Sequence, residues 1–119
     1  MSAQVTEERR DGRPHTIRVA GELDLATVSS LEAAVIRAVE SRSVPILIDF
    51  SSCSFIDSSV IAALLRAVER VEDSGSRPSL AVAANEQPLE VLRLTAVDRR
   101  VPIFDSAAEA ERELDGSPD

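Results

Sequence analysis

Lysine is absent from the 119 residues, and all 13 basic side chains are arginine. That bias reads as the imprint of a GC-rich genome, not as a functional device. One cysteine, Cys53, excludes an intrachain disulfide and a cysteine-rich metal site. With no Arg, Lys or His near it in sequence, Cys53 reads as a plain small residue and not as a redox sensor. One histidine, His15, follows Pro14 at an expected strand start and reads as a surface or edge residue. A lone histidine and no Gly-x-Ser-x-Gly elbow leave a serine hydrolase without support. Four glycines fall singly at turns, so no phosphate-cradling loop is present. No apolar run approaches the ~18 residues of a membrane span. Residues 1–10 are polar and lack a signal-peptide core. A soluble cytoplasmic protein is the expectation.

What is present suits one globular domain, residues 1–119, with 115–119 expected to fray. Hydrophobic residues make up 44% of the chain, enough for a core. Net charge is −8, from 21 acidic against 13 basic residues, which disfavours a nucleic-acid partner. The Arg9-Arg10 and Arg99-Arg100 pairs read as solvated surface charge. The charged surface argues against a large obligate interface and fits a monomer or weak dimer.

Apolar periodicity alternates short strands with amphipathic helices. Residues 4–9 form a weakly patterned strand, Asp11-Gly12 a turn, and 15–20 a second strand that Gly21 ends. A helix follows over 25–41, its stripe carried by Leu31, Ala34, Val35, Ala38 and Val39. Asp24 is the better N-cap, with Ser29 and Glu32 a rival capping box. Residues 44–50 read as a central strand, with Pro45 tolerated near its start. A serine-rich loop then leads, through Phe55 and Ile56 as apolar anchors, to a helix over 58–73 that Ser74-Gly75-Ser76 stops. A strand over 80–84, a helix over 86–94 capped by Asn85, a strand over 101–104 and a helix to 114 opened by Ser106 and Glu109 complete the chain. The order β-β-α-β-α-β-α-β-α implies an α/β fold: a mixed, mainly parallel sheet of four to five strands with about four helices.

The chemically informative stretch is ILIDFSSCSFIDSSVIAALL, from Ile46 to Leu65. Asp57 can cap the helix, leaving the Ser58 and Ser59 hydroxyls at its first positions. A helix N-terminus presents unpaired N–H groups and about half a positive charge. A phosphate there, roughly −1.5 to −2 at neutral pH, would be accommodated by the helix and opposed by Asp57. Spacing alone leaves two readings open: a phosphorylated serine, or two plain capping serines.

Phe55-Ile56-Asp57-Ser58-Ser59, after Ile48-Asp49-Phe50, resembles the signature of anti-sigma-factor antagonists of the STAS family. Gly21-Glu22-Leu23-Asp24 before the first helix is a second match, and the element order also agrees. The resemblance implies a protein-binding regulator and not an enzyme. Ser58 would be phosphorylated by a partner that is both anti-sigma factor and serine kinase, and that partner would bind the unphosphorylated form. Gly21, Glu22, Asp24, Asp57, Ser58, Ser59 and Val60 would form the docking surface. No cofactor or metal belongs to this chain on that reading; ATP and magnesium are the kinase's.

Position 60 departs from the pattern, with valine where the family has glycine. Val60 either packs on the inner helix face beside Leu64 or crowds the approach to Ser58. The second reading motivates an alternative: a STAS ligand-sensing or scaffold module that binds a partner without phosphorylation. Asp24, Asp49 and Asp57 as a receiver-type acid cluster fit less well, because that fold wants a lysine late in the chain.

Overall fold

The computed structural model describes residues 3–10, 12–41, 45–75 and 79–114. Asp11, Val44, Ser76 and the 115–119 tail, each given a place above, lie outside the described residues. Five strands make one sheet: β1 (Gln4–Glu8), β2 (His15–Leu23), β3 (Ile46–Ile56), β4 (Leu80–Ala83) and β5 (Ile103–Phe104). Four helices lie between or after them: α1 (Val28–Glu40), α2 (Ser58–Asp73), α3 (Glu86–Leu94) and α4 (Ala107–Leu114). The spatial order is β1-β2-β3-β4-β5. β1 pairs antiparallel with β2, and every later pair is parallel. The mixed, mainly parallel sheet and four helices are as the element order implied.

Two apolar layers hold the sheet. On one face Ile17, Val19, Ile48, Phe50 and Val82 pack with the stripes of α1 and α2 and with Leu92 of α3. On the other, Leu47, Ala81 and Ala83 meet Ala110 of α4. Central strands covered on both faces read as unbroken apolar runs, which is why residues 46–48 and 80–83 carry no alternation.

Several boundaries differ from the sequence expectation, and the largest difference matters for the site. Gly21 does not end β2, and the serine-rich stretch after Phe50 is strand and not loop. The pairing of β2 with β3 slips between Arg18 and Ala20 and again between Gly21 and Glu22. Arg18 faces Asp49 while Ala20 faces Ser52; Gly21 faces Cys53 while Glu22 faces Phe55. β3 therefore carries one extra residue at each slip, two bulges in all. Its inward positions become Phe50, Cys53 and Ile56, spaced by three, with exposures of 0, 2 and 1%. Period-two alternation cannot find such a strand. Gly21, with φ of 92°, supplies the left-handed backbone at the second slip.

α1 begins at Val28, three residues later than expected, with Thr27 in the cap position and no side-chain cap bond. Ser29 lies inside the helix, so the Ser29–Glu32 capping box does not form. Asp24 instead heads a turn. Its Oδ1 accepts the Ala26 N–H at 3.1 Å and the Thr27 hydroxyl at 3.0 Å, and its carbonyl accepts the N–H groups of Thr27 and Val28. Asn85 holds the cap position of α3 without a side-chain bond, whereas Ser106 Oγ accepts the Glu109 N–H at 3.1 Å at the start of α4. The last strand shrinks to Ile103–Phe104, after a single 3-10 turn at Val97–Arg99.

His15 is neither exposed nor on an edge strand. It opens β2 at 5% exposure, with Nε2 3.0 Å from Glu7 Oε1, and Glu7 also pairs with Arg37 of α1. Position at a strand start suggested the surface; instead Glu7 of the β1 arm pairs with it and Arg37 of α1 holds Glu7 in turn.

Candidate functional site

The parallel strands β2 and β3 end together, Leu23 facing Ile56, and everything of chemical interest gathers beyond that end. From Leu23 the chain enters the 24–27 turn, and from Ile56 it enters Asp57 and α2. Asp57 has extended backbone, φ −116° and ψ −175°, and its Oδ1 accepts the Ser59 N–H at 3.0 Å and the Ser59 hydroxyl. Its other oxygen, Oδ2, accepts the Leu25 N–H at 3.2 Å, across 32 residues of sequence. The Phe55–Ser59 motif is thus joined to the turn that follows the Gly21–Asp24 motif by a hydrogen bond to the Asp57 carboxylate. The bond from the Ser59 hydroxyl, helped by backbone donors at Leu25, Ser59 and Val60, holds the Asp57 carboxyl below the usual aspartate range.

Ser58 is exposed at the first residue of α2. Ser59 is half-buried and turned to Asp57. Gly21 and the exposed Glu22 lie at the end of β2 opposite the second β3 bulge, where the Gly21 carbonyl accepts the Ser54 hydroxyl at 3.3 Å. Val60 has 0% exposure and packs into the core with Leu64. Placed above among the docking residues, its side chain offers a partner no surface, because the first helical turn points position 60 inward.

Three features of this end were missed in the sequence. Gln87, in the first turn of α3, grips the backbone of Ile56: the Ile56 N–H donates to Oε1 at 3.0 Å and Nε2 donates to the Ile56 carbonyl at 3.1 Å. Nothing in its sequence context marks it. Leu25 and Phe55 stand 77% and 41% exposed, so Phe55 is not the buried anchor it was taken for; only Ile56, at 1%, is. Finally, an apolar groove of about 420 Å³ runs between α2 and α3, lined by Ser58, Ile61, Ala62, Leu65, Val91 and Thr95. Ile61 and Leu65 sit at helical spacing, but spacing alone does not separate this outer pair from the buried Leu64, Val68 and Val71.

Chemically this end offers an exposed serine hydroxyl at the edge of an apolar groove. His15 lies at the opposite end of β2, so no imidazole base serves Ser58. Among the described residues no group of three acidic, histidine or cysteine side chains is placed to hold a metal ion. Asp49 is buried in a structural role, accepting the Ser51 N–H at 2.9 Å beside Arg18. Cys53 is buried too, and that burial pushes its thiol above the ordinary range.

The STAS domain family model matches residues 5–110. The chain belongs to the STAS family. An anti-sigma factor antagonist from Mycobacterium paratuberculosis superposes on this STAS chain with a TM-score of 0.81 at 24% identity, covering 91% of this chain and 90% of that one. An anti-sigma-factor antagonist (STAS) domain protein from Planctomyces limnophilus gives 0.69 at 22%, covering 95% and 97%. The Bacillus cell fate determinant SpoIIAA in its phosphorylated form gives 0.65 at 22%, covering 90% and 96%. At these identities the likeness establishes a shared fold. None of the curated proteins matches the sequence. Among the described residues no helix is long and apolar enough to cross a membrane.

Proposed function

We propose that this STAS chain is a cytoplasmic anti-sigma factor antagonist, one domain over its whole length, that binds an anti-sigma factor with serine kinase activity and is released when Ser58 is phosphorylated. The observation that carries the reading is the exposed Ser58 hydroxyl on the first residue of α2, at the edge of the apolar groove and next in sequence to Asp57, whose carboxylate holds the Leu25 turn. Family membership and structural relatives that include a phosphorylated SpoIIAA support it.

On this reading the partner docks on the Leu25 turn, Phe55 and the groove, with Glu22, Asp24 and Asp57 giving the rim its negative charge. The Ser58 oxygen attacks the γ-phosphorus of ATP held by the partner. An O–P bond forms, the bond to the β,γ-bridging oxygen breaks, ADP leaves, and the hydroxyl proton goes to a base on the partner. The chain is the substrate and not the catalyst. A dianion set into a largely apolar contact beside Asp57 then opposes docking by desolvation and like-charge repulsion. The alternative of a ligand-sensing or scaffold module took its motive from Val60, and a fully buried valine leaves the Ser58 face unchanged.

The test is capture of partners from the native cell extract by wild type, Ser58→Ala and Ser58→Asp. An anti-sigma kinase retained by the first two and lost by the third supports the switch. Equal capture by all three overturns it while leaving the binding role standing.

A further inference from the structure

We propose that Asp57 couples Ser58 to the 24–27 turn, so that a phosphate on Ser58 unfastens the turn and displaces Leu25. This rests on the reading that Ser58 is the modified residue. It adds that the modification reshapes the docking face as well as charging it.

The Asp57 carboxylate divides its two oxygens between two elements. Oδ1 serves α2, taking both the Ser59 N–H and the Ser59 hydroxyl. Oδ2 serves the turn, taking the Leu25 N–H at 3.2 Å. The turn is otherwise tied within itself, through the Asp24 carboxylate and carbonyl and the Thr27 hydroxyl, so it can shift as a unit. It carries Leu25, whose side chain is 77% exposed.

Phosphorylation replaces the O–H of Ser58 by an O–P bond, with loss of the hydroxyl proton, and puts a near-dianion on the residue next to a carboxylate. Both anions face solvent at one helix end, and each lowers its energy by moving away from the other. Of the two attachments of Asp57, the Ser59 pair combines a hydroxyl and a backbone donor at the positive end of α2. The Leu25 attachment is a single, longer, exposed bond. It is the one that yields. Leu25 then loses the tie that fixes its exposed side chain relative to Asp57 and the start of α2.

The experiment uses the full chain with phosphoserine installed at position 58 during synthesis, so it needs neither kinase nor partner. Solvent exchange of the Leu25 amide is read by NMR in the modified and unmodified chains. Losing one hydrogen bond of ordinary net strength should speed exchange at Leu25 by about threefold or more. The Ile56 amide, held by Gln87, should not change. Repeating the pair in Asp57→Asn removes the like-charge repulsion, and phosphorylation should then leave Leu25 exchange unchanged. Leu25 exchange that rises less than about threefold in the wild-type chain overturns the coupling. So does an equal rise in the Asp57→Asn chain, which would assign the effect to the phosphate alone. Either failure leaves the partner-capture test untouched, and failed capture leaves this measurement standing.

Discussion

Gln87 holds Ile56 by both ends of one side-chain amide, accepting its N–H at 3.0 Å and donating to its carbonyl at 3.1 Å. In effect the amide extends the sheet by one rung where β3 has outrun β4, since β4 pairs no further than Asp49 with Ala83. A backbone N–H and C=O left unpaired in a half-buried position would each carry a desolvation penalty. Gln87→Ala should therefore destabilise the fold by about 1–3 kcal/mol. Gln87→Glu should recover little, because a carboxylate cannot donate to the carbonyl. Urea unfolding of the three proteins checks both statements, and a Gln87→Ala chain as stable as wild type would refute them.

Val60 occupies the position where the family pattern has glycine, and its side chain has no exposed surface. Val60→Gly would empty a packed site between the sheet and α2 and put glycine near the start of a helix. The emptied volume and the glycine together should cost about 2–4 kcal/mol. Reverting this position to the family residue is thus expected to harm the chain, not improve it. Denaturant titration measures the loss; a neutral or stabilising outcome would mean that Val60 is strained.

Helix α2 matches its sequence expectation at both ends, because its cap, apolar stripe and stop signal are all local. The sheet class was equally legible, since β-α-β alternation with fully apolar central strands admits few arrangements. Legibility fails where structure depends on pairing between distant segments. The two bulges of β3 turn a serine-rich run into strand, and only the register against β2 reveals them. The same holds at the site. Asp57 and Ser58 stand out by spacing, whereas Gln87 and the exposure of Leu25 and Phe55 follow from which elements the fold brings together. His15 was misjudged for the same reason, as its partner is Glu7 on β1, which Arg37 of α1 holds in turn.

Cys53 lies on the inner face of β3, 2% exposed, with Sγ donating to the Phe55 carbonyl at 3.2 Å. Burial raises its thiol, so little thiolate forms near neutrality and reagents reach little of it. In the native chain, alkylation by iodoacetamide at pH 7.5 should run at about a tenth or less of the rate in urea. Comparable rates would show that the end of β3 opens readily and exposes the thiol.

The pH dependence of stability should carry the signature of Asp57. Its carboxyl is held below the ordinary aspartate value, chiefly by the Ser59 hydroxyl. A group depressed on folding stabilises the native state above its unfolded value, near 3.8, and loses that contribution as pH falls through the lower folded value. Asp57→Asn keeps a capping oxygen but not the charge that complements the α2 dipole. At pH 6 to 7 it should be less stable than wild type by about 0.3–1 kcal/mol, a modest figure because the carboxylate is largely solvated. The difference should hold level down to about pH 5, shrink as pH falls below 3.8 through the lower folded value, and vanish once Asp57 is protonated in both states. Urea unfolding of both chains across that range decides it: a gap independent of pH would locate the loss in packing or hydrogen bonding, not in the charge.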